Sequence, residues 1–575
     1  MRVIDWLVLC ATLALVVFYG LWRSRACRSV DNYLLAGQTM PWYAMALSMM
    51  ATQASAVTFI STTGQSYVDG MRFVQFYFGL PFAMVILAYT AVPLFHRAKV
   101  YTAYEYLEQR FDTKTRALVS SIFLIQRGLA LGIGLYAPAV VLTVIFGWPD
   151  STTTLIMGVI AVLFTMKGGV KGTAWSHTLQ MGVMTIALVS ALICAVTLLP
   201  SHVSFSDAVS LARAAGKLNV VTTKFDWNDR YNLWSGLFGG MFLALAYFGT
   251  DQSQVQRYLT GRSIAASRQG LFFNAAAKIP MQAFILFIGA MVFVFYNYQK
   301  PPILFEGNEL KRLESPALRE DYRGIAGRYD AAFERRKAVA DQVVAANHAR
   351  NPAQLQKAQA DYSHAQTDFE AARNEGALLI QKAGGKKVND TNYIFLTFVT
   401  RHLPEGMVGL TLAMILGATL SSIGSEMNSL ATVSVIDIYK RHARSAATEG
   451  HYLLASRLAT LGWGCYAVIS AQYVKRMGSL IEAVNLLGSF FYGGMLGVFV
   501  LAFFFKRVKG LGAFWGVIAG EAVIFACWYF TSIAYLWYNV IGCVVVVVTG
   551  LAVNAFDEPG FSTESKQNAH LAARS

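Results

Sequence analysis

Apolar runs of about 20 residues recur along most of this chain, and they restrict its fold more than any other feature. A helix of that length crosses the hydrocarbon core of a bilayer, which is about 30 Å thick. Of the 575 residues, 55% are apolar and 14% are charged, whereas soluble proteins average about 45–50% and about 25%. The sequence therefore excludes a soluble multidomain protein and predicts one all-α polytopic membrane domain.

The positions of the apolar runs predict thirteen membrane-spanning helices. The runs lie near residues 3–22, 41–63, 73–95, 120–146, 153–167, 175–199, 234–252, 271–296, 406–436, 451–472, 479–505, 512–530 and 533–553. Basic residues cluster in every second connection, and by the positive-inside rule these connections are cytoplasmic. We therefore expect a multi-pass protein of the plasma (inner) membrane with its N-terminus outside and its C-terminus in the cytoplasm. The basic clusters also account for the net charge of +15, so nucleic acid is not an expected partner.

One long polar segment, residues 297–403, interrupts the pattern on an outside loop. Apolar residues recur there every three or four positions on both sides of Asn351-Pro352, which predicts an extracytoplasmic helical hairpin. The predicted organisation is a transmembrane part (1–296), the hairpin insertion (297–403), a second transmembrane part (404–553) and a short cytoplasmic tail (554–575). The hairpin either binds an unknown partner or is an insertion without such a role.

Two predicted spans contain unusual interruptions. The second is rich in Ser, Thr and Gln between Pro41 and Gly64, and the seventh carries four glycines before Asp251-Gln252. The two lie five spans apart, so spans 2–6 and 7–11 form two possible inverted repeats, as in transporters that bind substrate at broken helices. The alternative is that these small residues only let neighbouring helices approach closely.

Ionisable or strongly polar residues inside apolar spans are costly and therefore candidate functional groups. They are Arg127, His177, Asp251, Lys278, Glu426, Asp437, Glu482 and Asn485. Asp251 and Asp437 lie near predicted cytoplasmic ends, so we expect both to pair at the surface. Lys278 and Glu482 lie deeper in their spans or nearer the presumed cavity. Each is a candidate for lining the cavity, and the alternative for each is a position away from it.

The sequence Ala418-Thr-Leu-Ser421-Ser422 places a backbone carbonyl and two hydroxyls on one helical turn inside an apolar span. Hard cations prefer oxygen ligands, so this turn is a candidate site for a small monovalent ion. Unwound backbone around Ala51 to Ala54 would add carbonyl oxygens. The alternative is that the serines bond back to the preceding turn of their own helix.

Several motifs resemble those of the sodium:solute symporter family, which includes sodium/glucose, sodium/proline, sialic-acid, monocarboxylate, multivitamin and iodide transporters. They are Asn32-Tyr-Leu-Leu-Ala-Gly-Gln, Ser55-Ala-Val-Thr-Phe, Thr102-Ala-Tyr-Glu-Tyr-Leu-Glu-Gln-Arg-Phe111, Tyr136-Ala-Pro-Ala139, Gly168-Gly-Val-Lys-Gly-Thr-Ala-Trp175, Asp251-Gln-Ser-Gln-Val-Gln-Arg257, and Ser421-Ser through Asn428-Ser to Asp437-Ile-Tyr-Lys440. The resemblance covers residues 1–296 and 391–510. It implies a leucine-transporter-type fold, with two inverted five-helix repeats working by alternating access.

The resemblance also implies a sodium site. The family's ligands correspond here to Ala51, Ala54, Ala418, Ser421 and Ser422. Some members bind a second sodium through an Asp that is replaced here by His177, and a neutral imidazole does not supply an anionic oxygen. We therefore expect one coupled sodium, with proton participation through His177 as the alternative.

The substrate site implied by the resemblance is unlike that of the sugar-transporting members, because Tyr77 and Ala244 occupy the two aligned sugar-contact positions. Lys278, Tyr247 and Asn485 align with a family lysine, an inner-gate tyrosine and a glutamine. The predicted substrate-binding residues are Gln53, Thr58, Phe76, Tyr77, Arg127, Tyr247, Lys278, Glu482 and Asn485. The cationic side chains of Lys278 and Arg127 suit a carboxylate or another small anion, unless they pair internally with Glu482 or Asp251.

The expected function is sodium-coupled import of a small polar solute, most simply a monocarboxylate or vitamin-like carboxylate. The alternatives are a sugar or amino-acid symporter, proton coupling on the same fold, and more remotely a transporter-like sensor or a membrane enzyme. Motifs of nucleotide binding and hydrolysis (GxxxxGK[ST], HExxH, GxSxG) do not occur in the sequence. We therefore expect no enzyme activity, no cofactor or metal besides sodium, and no disulfide among six cysteines without CxxC spacing.

Overall fold

The computed structural model describes residues 2–23, 35–383, 388–474 and 479–557. These residues form helices and no strand, apart from an isolated bridge between Met40 and Gly261. The motif residues 32–34 and residues 558–575 of the predicted tail lie outside the described residues.

The first half of the described chain contains twelve α-helices. In chain order they are α1 (Val3–Arg23), α2 (Trp42–Thr52), α3 (Ala56–Asp69), α4 (Leu80–Tyr89), α5 (Ala91–Ala98), α6 (Ala103–Arg110), α7 (Thr113–Phe146), α8 (Asp150–Thr197), α9 (Phe205–Ala214), α10 (Gly240–Gly249), α11 (Gln252–Leu259) and α12 (Ile264–Tyr298). Two 3-10 helices, Ala36–Gln38 and Gly70–Tyr77, and a π-helix, Ser235–Gly239, lie between them.

The second half of the described chain continues the series. Its α-helices are α13 (Gly307–Leu313), α14 (Arg319–His348), α15 (Pro352–Lys382), α16 (Thr391–His402), α17 (Met407–Val433), α18 (Glu449–Val474), α19 (Leu480–Phe504), α20 (Gly510–Phe530) and α21 (Leu536–Asp557). A π-helix, Ser434–Ala443, extends α17.

Within the described ranges, ten helical segments are long and apolar enough to cross a membrane, and two shorter apolar helices accompany them. The prediction of an all-helical, multi-span membrane protein is confirmed, but the count of thirteen spans is not. One reason is that the predicted fifth and sixth spans lie in the single helix α8. Another is that the predicted second and third spans are divided into shorter helices, so hydropathy alone does not fix their ends.

The predicted interruptions coincide with two helix breaks. Helix α2 ends at Thr52 and α3 begins at Ala56. Helix α10 ends at Gly249 and α11 begins at Gln252, with Asp251 as the N-cap of α11. The Asp251 Oδ1 atom accepts a hydrogen bond from the Ser253 amide at 2.9 Å, which satisfies one of the amides left free at the helix start.

The glycines of the predicted seventh span permit close helix packing. A Cβ atom on Gly236 would lie 2.0 Å from the Gln75 carbonyl oxygen, and one on Gly240 would lie 2.3 Å from the Phe76 carbonyl oxygen. Both distances are far below van der Waals contact, so a side chain at either position would force the 3-10 helix away. These two glycines therefore fit the close-packing alternative, whereas the break itself lies later, at Thr250 and Asp251.

Helices α14 and α15 pack against each other as an antiparallel pair joined at residues 349–351. The pair is held to the end of α12 by Arg336, which is fully buried. Its guanidinium donates hydrogen bonds to the Tyr296 carbonyl at 2.5 Å and to Gln366 Oε1 at 3.1 Å. The last helix of the polar segment, α16, packs on α3 instead. The hairpin thus consists of α14 and α15.

The tip of this hairpin contacts α9 through Asp207. The Asp207 carboxylate accepts hydrogen bonds from the Ser204 hydroxyl at 2.6 Å and from Asn347 Nδ2 at 2.7 Å, and it pairs with His348 Nε2 at 2.9 Å. Burial alone would raise the pKa of Asp207, but these hydrogen bonds outweigh burial and hold its pKa below the usual value. The ionised carboxylate therefore stabilises the docked hairpin.

We expect Asp207→Asn to lower the free energy of unfolding by about 1–3 kcal/mol, because buried donors lose a charged acceptor. Because the folded-state pKa is depressed, this contribution is present above the unfolded pKa of about 3.9 and is lost as the pH falls through the folded value. The difference between wild type and variant in thermal unfolding should therefore shrink below about pH 4. The matched control is Asp341→Asn, whose exposed carboxylate pairs with His202. Equal effects of the two substitutions would contradict this account.

Candidate transport site

An internal cavity of about 130 Å³ lies beside both helix breaks. Its walls come from α3, the 3-10 helix Gly70–Tyr77, α7, α10, α12, α17 and α19. Eight of the nine predicted substrate-binding residues line it: Gln53, Thr58, Phe76, Tyr77, Arg127, Tyr247, Lys278 and Asn485. The structure thus brings together side chains that are spread over more than 400 residues of sequence.

The ninth predicted residue, Glu482, does not line the cavity. It lies in the first turn of α19, at the outer edge of the site. Its carboxylate accepts hydrogen bonds from Arg230 Nη1 at 2.8 Å and from the Tyr231 hydroxyl at 3.2 Å. Glu482 is therefore engaged in a peripheral ion pair and does not pair with Lys278, contrary to one of the alternatives.

Lys278 is buried, with 1% of its surface exposed, and faces the cavity from α12. Its Nζ atom lies 5.2 Å from the centre of the Tyr77 ring and has no hydrogen-bond partner among the described residues. A buried ammonium is costly unless it is paired or hydrogen-bonded. The ring face lowers that cost only in part, so the position favours an anionic ligand.

Arg127 also lines the cavity, but its charge is already paired. Its guanidinium forms an ion pair with Asp251 and a longer one with Glu426, at 3.3 Å. The Tyr492 hydroxyl lies 3.0 Å from both Arg127 Nη2 and Asp251 Oδ2. Arg127 is therefore a poorer candidate than Lys278 for binding an anion.

The expectation that Asp251 and Asp437 pair at the surface is wrong, because both are fully buried. Asp251 sits at the helix break, so it contacts Arg127 on α7 instead of nearby Arg257. Asp437 accepts hydrogen bonds from the Arg116 guanidinium at 2.7 Å and from the Thr102 hydroxyl at 2.8 Å. Both carboxylates thus form long-range contacts inside the bundle.

Two of the residues predicted to hold sodium, Ser422 and Ala51, are in contact beside the cavity. Ala51, Ala54, Ala418, Ser421 and Ser422 are all buried, and Ser422 also lines the cavity. The Ser422 hydroxyl donates to the Ala51 carbonyl across a gap of 3.4 Å, whereas Ser425 bonds back to the Ser421 carbonyl at 2.9 Å. The back-bonding alternative therefore describes Ser425, while Ser422 reaches from α17 to the break between α2 and α3.

His177 lies on α8, behind the broken helix. It is fully buried, and its Nδ1 atom is 3.1 Å from the Ser48 hydroxyl. It is not among the residues that line the cavity.

Sequence reasoning did not assign Glu426 and Tyr492 to this site, and it named Asp251 only as a possible internal partner of Lys278 or Arg127. Glu426 and Asp251 were flagged as costly charges, and Glu426 lies four residues after Ser422, hence on the same face of α17. That spacing was a usable signal. Tyr492 gave no such signal, because tyrosine is a common residue in apolar spans.

Known proteins match this chain over most of its length. The model of the sodium:solute symporter family matches residues 33–300 and 370–520. The sodium/sialic acid symporter of Aliivibrio fischeri is 24% identical over 95% of this chain and 92% of its own. The sodium-dependent multivitamin transporter of Oryctolagus cuniculus is 25% identical over 98% and 74%, and the human sodium-coupled monocarboxylate transporter 1 is 24% identical over 90% and 72%.

A solved structure of a Na+-coupled sialic acid symporter, substrate-bound and outward-open, superimposes with a TM-score of 0.74 at 22% identity, covering 96% of this chain and 98% of that one. The fold is therefore of the leucine-transporter type. The chain belongs to the sodium:solute symporter family and so to the secondary transporters. The three relatives above are named as sodium symporters or as sodium-dependent or sodium-coupled transporters.

We expect Arg127→Met to lower the free energy of unfolding by about 3–5 kcal/mol, because it leaves two buried carboxylates without a counter-charge. Denaturant or thermal unfolding of the purified protein measures this loss. Arg335→Met is the control, since Arg335 forms an exposed pair with Asp368 and should cost less than about 1 kcal/mol. Similar stability of the two variants would show that the Arg127 cluster does not hold the helices together.

Proposed function

We propose that this protein is a sodium-coupled symporter that imports a small organic solute carrying a carboxylate, most simply an organic anion, by alternating access. It works in the plasma membrane with its N-terminus outside, its C-terminus in the cytoplasm and its hairpin on the outer side. The observation that carries the proposal is the contact of Ser422 with the Ala51 carbonyl, at a helix break that also borders a cavity with an unpaired lysine.

Sodium would bind between the carbonyls of Ala51, Ala54 and Ala418 and the hydroxyls of Ser421 and Ser422. Such a set of neutral oxygens suits a small hard cation, and transporters commonly take carbonyl ligands from the ends of broken helices. The position of the Asp that some relatives use for a second sodium is held here by His177, whose imidazole contacts Ser48. We therefore propose one coupled sodium per solute.

The solute would bind in the adjoining cavity with its carboxylate toward Lys278. Gln53, Thr58 and Asn485 offer neutral hydrogen-bonding groups, and Phe76, Tyr77 and Tyr247 offer aromatic faces. Relatives are named for sialic acid and monocarboxylates, both of which carry a carboxylate. The other cation of the cavity, Arg127, is paired with Asp251 and Glu426, so it would position those groups and not the solute.

The two sites would be coupled through the break between α2 and α3. Ala51 and Ala54 belong to the sodium site, while Gln53 between them lines the cavity and its carbonyl accepts a hydrogen bond from Thr58 at 2.9 Å. A ligand on either side of this short segment fixes the same backbone, so each would raise the affinity of the other by the same factor. Each sodium crossing 100 mV would supply about 2.3 kcal/mol before its concentration term.

Sodium should raise the unfolding temperature of the purified protein at constant ionic strength, with choline as the replacing cation. An ion at about 100 times its dissociation constant stabilises by about 2.7 kcal/mol. The Ser421→Ala/Ser422→Ala variant should lose this response. Ser456→Ala, which removes a buried serine of α18 that bonds back to Tyr452, should retain it. A sodium response equal in both variants would contradict the proposed site.

Lys278→Met should weaken binding of carboxylate solutes at least about tenfold, because it removes the unpaired ammonium. A panel of small carboxylates at saturating sodium, tested by thermal stabilisation and by uptake into proteoliposomes, measures this loss. Lys278→Arg should restore part of the binding, and Lys300→Met, at an exposed lysine paired with Asp330, should change nothing. An unchanged affinity in Lys278→Met would refute the role of this residue.

A further inference from the structure

Glu426 places a second charge at the cavity, and this charge is compensated only in part. It lies on α17, one turn beyond Ser422, and is one of the residues that line the cavity. Its Oε1 atom is 3.3 Å from Arg127 Nη1. Its Oε2 atom has no hydrogen-bond partner in the part of the chain that the structure describes.

Arg127 compensates the charge of this carboxylate only in part. The guanidinium is shared between Asp251 and Glu426, so one positive charge faces two negative charges. The Asp251 carboxylate is better stabilised than that of Glu426, because it also accepts hydrogen bonds from the Tyr492 hydroxyl at 3.0 Å and from the Ser253 amide at 2.9 Å. The uncompensated negative charge of the cluster therefore resides on Glu426.

The unpaired cation of the same cavity, Lys278, comes from a different helix, α12. Lys278 and Glu426 form no ion pair with each other in the structure, although both line the cavity. The cavity is thus lined by an ammonium without a partner among the described residues and by a carboxylate that shares its cation with Asp251. Each is costly to bury in this state, and each is satisfied by a ligand group of opposite charge.

We infer that the transported solute is bipolar, with a carboxylate that binds Lys278 and a cationic group, such as an ammonium, that binds Glu426 Oε2. The inference rests on the proposed transport function and narrows its substrate class. A solute with a carboxylate alone satisfies Lys278 but adds negative charge beside a carboxylate that is only partly compensated. A bipolar solute satisfies both groups and leaves the charge of the cavity unchanged.

Matched pairs of ligands test this inference on the purified full-length protein. Each pair has one carbon skeleton with and without an amino group: propionate with alanine and with β-alanine, and butyrate with γ-aminobutyrate. Dissociation constants are measured by thermal stabilisation with and without sodium. Wild type should bind an amino-carboxylate at least about tenfold more tightly than its plain carboxylate. This comparison requires no variant.

Glu426→Gln should remove that preference while retaining stabilisation by sodium, which shows that the variant is folded. Glu482→Gln, a matched change at the carboxylate outside the cavity, should keep the preference.

The inference is overturned by a wild-type preference for plain carboxylates, by binding of no pair member while sodium still stabilises, or by an unchanged preference in Glu426→Gln. Loss of sodium stabilisation in Glu426→Gln would also overturn it, because the carboxylate would then serve the ion. Absence of sodium stabilisation in wild type would refute the proposed coupling instead, and a preference measured without sodium would still support the bipolar cavity.

Discussion

A helix can be interrupted inside a bilayer only where protein groups satisfy the backbone amides and carbonyls that the interruption frees. This constraint determines the arrangement of the whole site. The break between α2 and α3 faces α17, where the Ser422 hydroxyl reaches the Ala51 carbonyl. The break between α10 and α11 is capped by Asp251, which is held in turn by Arg127 of α7. Ala51 and Ala54 at the first break and Thr250 and Asp251 at the second are all buried.

The same constraint brings charge into the core. Asp251 caps a buried helix start, so it requires a buried cation, and Arg127 supplies it. Once Arg127 is shared with Asp251, the charge of Glu426 is compensated only in part, and Lys278, which lines the same cavity, has no partner among the described residues. The electrostatic character of the cavity therefore follows from how the broken helix is capped. Ligand recognition and helix geometry are linked through one group of side chains.

Much of this fold could be predicted because its signals are local. The polar second span and the Asp251-Gln252 pair indicated both breaks, and the spacing around Asn351-Pro352 indicated the hairpin. The number of spans could not be derived, because α8 continues through a stretch that was expected to be a loop. Hydropathy reports whether a stretch suits lipid, but it does not report where a helix bends, breaks or continues.

The site was less predictable, because its pairings connect distant parts of the chain. Asp251 was expected to pair at the surface, with pairing inside the bundle as the alternative, and its partner Arg127 lies 124 residues away. Glu482 was predicted to bind substrate, but it lies in the first turn of α19 and pairs with Arg230. The attachment of the hairpin through Arg336 and Asp207 is equally non-local. Patterns of spacing identify which residues are unusual, and only the packed structure identifies their partners.

Equilibrium binding of radioactive sodium to the purified protein tests the central claim most directly, because it counts the ions held at the helix break. The account predicts saturable binding of one sodium per chain, which potassium and choline do not displace. Binding of two sodium ions per chain would show that the position of His177 does not exclude a second site. No saturable binding would contradict the assignment of the α2–α3 break and Ser421/Ser422 as a sodium site.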